Sequence, residues 1–568
     1  MTTNCNSILR SAVCVALGLL LTCLPLRANT FHGDEYVVAS VNPIATDAGV
    51  KVFEEGGNAI DAAITTALTL AVVDGHNSGV GGGCLIMIRT ADGRLIAIDG
   101  RERAPARATA DMFVIDGQAD PNASQLGPLA SGVPGALAAY EKAREVCGTM
   151  PMSRLLAPAI EAAESGFEVS RPLANSLAGH TDKLEQFEGT KAVYFKPDGS
   201  VYQEGDRLVQ PDLANTLKQV AKHGVDWFYR GELAEQIGDW MAQNGGLLTA
   251  KDFADYEAVS REPIVSTYRG YTIVGFPPPS SGGVHVAQVL NILENYDLAA
   301  LHRSDPLRAI HLVSEAFTRA FADRAYWLGD ADHAPVPRGL LSKQYAKQLA
   351  ASIDLDRAVE VSTHGNPPQW KQDLFGRHTT HISAVDSEGN WVAITATVNT
   401  SFGSGVIVPG TGVVLNNEMD DFSIQPGVPN AFGLIGAENN SIAPGKRPLS
   451  SMSPTIVLDE EKKPILSIGA AGGPKIITQV LLGIIRTIDY GEPLDKAVGD
   501  PRFHHQWRPN QLGIEDVAPR QWATELAARG HDVQTLPSAG VCQAIALTSD
   551  GRLVGVSDPR IPGKAAGK

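Results

Sequence analysis

Apolar and polar positions alternate along this chain with two different periods. Gly56-Gly57-Asn58 opens the run AIDAAITTALTLAVV, whose length and small residues predict a helix over Ala59–Val73 that packs closely on a sheet. After the glycines Gly79–Gly83, Leu85–Arg89 (LIMIR) reads as a strand. Ala91-Asp92-Gly93 then turns the chain into a second strand at Leu95–Ile98, completing a hairpin. The middle of the chain, roughly 130–350, is richer in helical patterns, the clearest at Val133–Val146 and Pro306–Trp327. From Thr379 onward strands and turns dominate. Between the two regions, Val361–His378 (VSTHGNPPQWKQDLFGRH) combines Gly, a Pro pair and mixed charge, the pattern of an exposed, cleavable connection.

The segment after that connection forms a second hairpin. Thr379–Val385 alternates as a strand, Ser387-Glu388-Gly389 turns, and Asn390–Val398 returns. A three-residue loop sets Asp386 against Asn390 and Thr379 opposite Thr397, with Cβ atoms roughly 5 Å apart; a two-residue loop would put Val398 there instead.

Composition narrows the function. The first thirty residues differ from the rest: Arg10 precedes the apolar run Ser11–Leu26, followed by Arg27-Ala28, in the order of a secretory signal. The run is too short for a comfortable membrane span, which takes roughly 20 apolar residues. Residues 1–28 are read as a signal peptide, the mature chain as starting at Asn29, and the product as exported to the periplasm or medium, with no membrane association after signal removal. A net charge of -16 argues against nucleic-acid partners, which demand clustered Lys and Arg. Cys84, Cys147 and Cys542 remain after the signal, too few and too scattered for a disulfide framework. No paired Cys/His spacing supports a structural zinc site.

HTTHISAVDSEGNWVAITATVNTSFGSG (His378–Gly405) resembles the signature of the γ-glutamyltransferase family, also called γ-glutamyl transpeptidase or glutathione hydrolase. The likeness runs in family order through VASVNPIATDAGV (Val38–Val50), EGGNAIDAA (Glu55–Ala63), IDGRERAPA (Ile98–Ala106) and SGVPGALAAYE (Ser131–Glu141). It continues through LNNEMDDFS (Leu415–Ser423), KRPLSSMSPT (Lys446–Thr455), AAGGPKIIT (Ala470–Thr478) and PRFHHQW (Pro501–Trp507).

The resemblance implies an α/β (α+β) fold, the four-layer αββα sandwich of the N-terminal-nucleophile hydrolases, made as a proenzyme that cuts itself between His378 and Thr379. A large subunit, 29–378, and a small one, 379–568, would form one intertwined domain. A free N-terminal Thr carries a hydroxyl and an α-amine whose ordinary pKa is near 8, so one residue supplies nucleophile and base. The family pattern assigns Arg101, Ser450 and Ser451 to the substrate α-carboxylate, and Glu418, Asp421 and Asn399 to its α-ammonium. It assigns Gly472 and Gly473 to the oxyanion hole, and Thr397 to a hydrogen bond with the nucleophile. Glutathione and other γ-glutamyl compounds are the implied donors, water, amino acids or peptides the acceptors, in a ping-pong reaction that takes no metal or organic cofactor.

Several positions depart from the pattern. Cys84 interrupts a longer Gly run, Ala470-Ala471 stand where Ser-Pro is frequent, and Phe432, in the lid-like segment Pro429–Lys446, replaces a frequent tyrosine. The last bears on water exclusion and so on the balance of hydrolysis and transfer. Three other readings stand beside the main one. A β-lactam side-chain acylase of glutaryl type would keep Thr379 and the glycines without needing Glu418 and Asp421. A metal site from His378, His381, His504 and His505 lacks the H-E-x-x-H spacing. A noncatalytic binding protein would have no reason to be cleaved at Thr379.

Overall fold

The computed structural model describes residues 28–368 and 381–568. Its main strands, in chain order, are β1 (Asn29–Gly33), β2 (Val37–Ser40), β3 (Gly83–Arg89), β4 (Leu95–Gly100), β5 (Val259–Arg261), β6 (Ile264–Tyr268) and β7 (Tyr271–Gly275). They continue with β8 (Ile382–Val385), β9 (Trp391–Thr397), β10 (Thr455–Leu458), β11 (Pro464–Ala471), β12 (Val541–Leu547), β13 (Leu553–Ser557) and β14 (Lys564–Gly567). They form two seven-stranded sheets, ordered β14-β2-β8-β9-β3-β4-β5 and β1-β13-β12-β11-β10-β7-β6.

Side-chain alternation decides how the sheets stack. Along β3, Cys84, Ile86 and Ile88 join one core, together with helices α1 (Pro43–Glu54), α2 (Ala59–Val73) and α3 (Ala136–Cys147). Leu85 and Met87 turn the other way, into a core shared with β7, β10, β11 and β12. Successive strand residues point to opposite faces, so a strand apolar on both faces must lie between two layers. The outer face of the second sheet is covered by α4 (Gly282–Leu293) and α6 (Lys475–Ile488), with α5 (Pro306–Trp327) against α4. Helices, sheet, sheet and helices make the αββα sandwich that the family likeness implied.

Helix α2 occupies the span its pattern predicts, and every one of its residues is buried. Asn58 caps it by accepting from the backbone N–H of Ile60 and Asp61, and the Asp61 carboxylate returns a bond to the Asn58 N–H. That reciprocal box satisfies donors a buried helix start would otherwise leave unpaired. Helix α5 also has its predicted ends, with Asp305 as cap and Pro306 in the first turn. Helix α3 starts at Ala136 rather than Val133: Val133 precedes Pro134, which disfavours helical geometry there, and instead exchanges backbone bonds with Arg103.

The hairpin β8–β9 has the three-residue loop. Ile382 faces Ile394 and Val385 faces Trp391, while Asp386 N–H donates to the Asn390 carbonyl at 3.2 Å. Asp386 also accepts from the Asn390 side-chain amide at 2.8 Å, and Gly389 takes the positive φ of the turn. His378, Thr379 and Thr380 lie outside the described residues, so the expected strand start is read here from Ile382 only. Thr397, at the end of β9, pairs with Gly83 of β3. Among the described residues, Cys84, Cys147 and Cys542 are free thiols, Cys84 packed in the helical core, and no helix is long and apolar enough to cross a membrane.

Candidate active site

A cavity of about 740 Å³ opens at the ends of β9 and β11. Its walls include Thr397, Asn399, Glu418, Asp421, Ser450, Ser451, Gly472 and Gly473, with Phe432 across from them. Residues up to 76 positions apart in the sequence thus converge on one space, and every assigned pocket residue within the described segments is there except Arg101, which stands directly behind the acids.

Arg101 follows β4 and is completely buried. Its backbone is fixed on both sides: the N–H donates to Asp99 Oδ1 at 2.9 Å, and the carbonyl accepts from Tyr256 OH at 2.6 Å and Arg447 Nη1 at 2.7 Å. The guanidinium holds Glu418 through Nη1 and Asp421 through Nη2, lies 3.5 Å from Glu102 and donates from Nε to the Pro448 carbonyl. The E-x-x-D spacing explains how one cation reaches two acids. Glu418–Asp421 is a single 3-10 turn, in which residues three apart eclipse on one face.

The expectation gave the cation and the acids different substrate charges, the α-carboxylate and the α-ammonium. Here they are in direct contact, because a buried charge is costly unless paired inside the protein. Burial pushes the Asp421 carboxyl up from its ordinary range, with Arg101 pulling it back. Burial pushes Glu102 up to about 7, again opposed by Arg101, and neither Glu102 oxygen has a hydrogen-bond partner among the described residues.

Glu102 therefore titrates far above its unfolded value of about 4.3. Between those two pH values the folded protein holds a proton that the unfolded chain has released, so stability falls as pH rises through this window and the full cost is present above about 7. Glu102→Gln is expected to gain on the wild type by on the order of 1–3 kcal/mol between pH 4.5 and 8. Thermal melts of both proteins at the two pH values check this; a gap that does not change with pH refutes it.

The remaining walls are set by backbone turns. Asn399 sits at φ +76°; its side-chain N–H₂ donates to the Asn417 carbonyl at 2.9 Å, which consigns the donor end to the protein and suits the amide oxygen to a cation. Thr397 Oγ1 accepts from the Asn399 N–H at 2.7 Å. Gly472 and Gly473 turn β11 into α6 at φ +132° and +60°. A Cβ on Gly473 would come within 2.6 Å of the Phe432 ring, so glycine lets the ring close over the backbone there. Phe432 is held in place by Gln506, which donates to its carbonyl at 3.1 Å, giving the PRFHHQW segment a part in positioning that residue. The ring covers the glycine as a tyrosine ring could, without a hydroxyl.

The described histidines of the metal reading are engaged separately. His504 bonds Thr478 and Gln506, His505 bonds Thr318, and His381 bonds Ser383 at 2.7 Å. Burial lowers His381 to about 3, leaving it a neutral packing residue. Among the described residues the one His/Cys/Asp/Glu group with ligand-like proximity is His311, Glu315 and His531, where the two rings bond each other at 2.7 Å and Glu315 pairs with Arg319.

Sequence reasoning did not single out Glu102, Arg324 or Arg447. Glu102 and Arg447 lie inside the motifs IDGRERAPA and KRPLSSMSPT, where their adjacency to assigned residues was a usable signal. Arg324 had none: it stands on a helix far along the chain.

Two facing sheets between helix layers, with charged and hydroxyl side chains gathered in a cavity at the strand ends, are the architecture expected of the N-terminal-nucleophile hydrolases. Comparisons with known proteins narrow this. The family model described as gamma-glutamyltranspeptidase matches residues 45–568, and the chain belongs to that family. It is 44% identical over 539 residues to the glutathione hydrolase proenzyme of Escherichia coli (strain K12), covering 94% of this chain and 91% of that protein. It is 39% identical to the acylase ACY 1 proenzyme of Pseudomonas sp. (strain SE83), covering 94% and 93%. Among solved structures, the cephalosporin acylase from Bacillus halodurans superposes with a TM-score of 0.85 at 30% identity, covering 96% of this chain and 98% of that one.

Proposed function

We propose that this enzyme is an exported, self-processing γ-glutamyltransferase that acts on glutathione and related γ-glutamyl amides. The observation that carries the reading is the Arg101–Glu418–Asp421 cluster against the cavity that Gly472 and Gly473 also line. A γ-glutamyl group presents an α-carboxylate and an α-ammonium, and it can exchange its own charges for those of the cluster: carboxylate toward Arg101, Ser450 and Ser451, ammonium toward Glu418, Asp421 and the Asn399 amide oxygen.

The chain matures by attack of the Thr379 hydroxyl on the His378 carbonyl: the C–N bond breaks to leave an ester between the two residues and a free α-amine, and water then hydrolyses the ester, giving subunits 29–378 and 379–568 and restoring the hydroxyl. The freed α-amine then serves as base for the same hydroxyl. Thr379 Oγ adds to the γ-carbonyl of the donor, and the oxyanion is held by the backbone N–H groups of Gly472 and Gly473. The proton taken by the amine passes to the leaving amine as the C–N bond breaks, leaving a γ-glutamyl ester on Thr379. Water or the amine of an amino acid or peptide attacks this ester, regenerating the hydroxyl and releasing glutamate or a new γ-glutamyl amide.

The acylase reading is favoured by two of the three relatives named above, the ACY 1 proenzyme and the cephalosporin acylase, and opposed by the two acids. A glutaryl group lacks the ammonium and would leave Glu418 and Asp421 without a ligand partner. The expected result is a kcat/KM at least about 100-fold higher for a γ-glutamyl anilide than for the glutaryl anilide, since a site built to bind a polar group discriminates strongly against a substrate without it. A preference for the glutaryl compound would establish the acylase instead.

A further inference from the structure

Arg324 lies in the last turn of α5, buried, outside the cavity and behind its serine wall. Its Nη2 donates to Ser451 Oγ at 3.1 Å and its Nε donates to Ser281 Oγ at 3.0 Å. Ser281 in turn donates from Oγ to the Ser450 carbonyl at 2.7 Å and from its backbone N–H to the same oxygen at 2.8 Å. The chain of bonds has one possible direction. A guanidinium has no lone pair to offer and can only donate, so both serine oxygens accept from it, and the proton of each hydroxyl is left for another acceptor. Ser281 spends its proton on Ser450. Ser451 lines the cavity.

We propose that Arg324 is a positioning residue for the substrate carboxylate: by occupying the oxygen of Ser451 and anchoring the Ser450 backbone through Ser281, it commits the Ser451 hydroxyl to donating into the pocket. This rests on the proposed γ-glutamyl reading and names the device that orients its carboxylate end. A neutral side chain at 324 would free the Ser451 hydroxyl to rotate, and a donor of fixed direction would become one of several rotamers. Burial pulls Arg324 down to about 10, with Asp421 pulling the other way, so it remains a cation at neutral pH. It acts through Ser451 and supplies charge at a distance, while Arg101 supplies the fork.

The test uses the full chain, allowed to process, with Arg324→Met and Arg324→Lys assayed on three anilides: γ-glutamyl, glutaryl and 4-aminobutyryl. The first two carry the carboxylate and the third lacks it. Arg324→Met is expected to raise KM for the two carboxylate-bearing donors by about 10- to 100-fold, the worth of an oriented bond to a charged group. Its kcat should stay within about threefold, as should kcat/KM on the 4-aminobutyryl donor. Arg324→Lys, which keeps a donor and the charge, should recover part of the loss. In a Ser451→Ala background the Arg324→Met effect should shrink to about twofold or less, because the partner it orients is gone.

An equal loss on all three donors, or a full loss in the Ser451→Ala background, would overturn the proposal and leave Arg324 a structural prop. If Arg324→Met does not fold, Arg324→Gln, a neutral side chain whose amide oxygen can also accept, carries the same comparison, and an unchanged KM for both carboxylate donors overturns it. A wild type that ignores the γ-glutamyl donor but turns over the glutaryl one would remove the γ-glutamyl reading alone, since the glutaryl group still presents the carboxylate on which Arg324 is tested.

Discussion

Thr379→Ala is expected to accumulate as one uncut, inactive chain. The methyl side chain has neither the hydroxyl that attacks the His378 carbonyl nor the nucleophile that the freed α-amine would activate, so one substitution removes both processing and turnover. Intact mass of the purified protein after incubation reads the first effect. Wild type should resolve into chains of about 37 and 20 kDa, taken from the mean residue mass of this chain, and Thr379→Ala should not. Hydrolysis of a γ-glutamyl anilide reads the second, with a loss of at least about 10⁴-fold, the scale seen when a catalytic nucleophile is deleted. Thr379→Ser, which keeps a hydroxyl and an amine, should still process. A Thr379→Ala chain that cuts itself at the same bond and turns over donor would eliminate the mechanism.

Replacing Arg101 is the second large effect, and the structure divides it in two. Arg101 is the shared counter-ion of the buried Glu418 and of Asp421, which is partly open to the cavity, and it lies beside the buried Glu102. Arg101→Ala strands them together, and removing one partner from a buried ionic cluster costs about 3–5 kcal/mol. The alanine variant should therefore melt earlier as well as bind donor poorly, so its loss of activity has two causes. Arg101→Lys keeps a positive charge near the acids but cannot hold two of them or a carboxylate with parallel bonds. It should process, melt closer to wild type, and show a KM for γ-glutamyl donors raised by about 10- to 100-fold. Wild-type donor affinity in the lysine variant would show that Arg101 does not serve the pocket.

What could be read from the sequence was what local chemistry controls. The ends of α2 and α5 follow from apolar periodicity together with Asn58 and Asp305 as caps. The β8–β9 register follows from a three-residue turn closed by Asp386 and Asn390. The αββα layering was carried by family likeness, since alternation shows that β3 is covered on both faces but not by what. Contacts across the sequence were out of reach. Arg324 meets Ser451 across 127 positions, and nothing near either residue marks the pairing. Arg101 and its acids were identified, but their direct pairing was not: residue type tells which charges a substrate needs, whereas mutual neutralisation depends on the distance between them. The closure of Phe432 over Gly473 is likewise a property of two segments meeting.

The order of strands in the two sheets has a consequence for the life of the enzyme after maturation. Residues on either side of Thr379 alternate within each sheet: β2 lies between β14 and β8, and β13, β12, β11 and β10 lie between β1 and β7. A cut before Thr379 severs one covalent bond and no strand pair, so the halves stay laced together. Their unfolding, however, would then release two molecules, and recovery would require a bimolecular search through strands that were once tethered. Maturation by the proposed cut would act as a ratchet in this topology. The precursor would fold in a unimolecular reaction, whereas the processed enzyme would last only as long as it does not open, its durability set by an escape rate more than by an equilibrium.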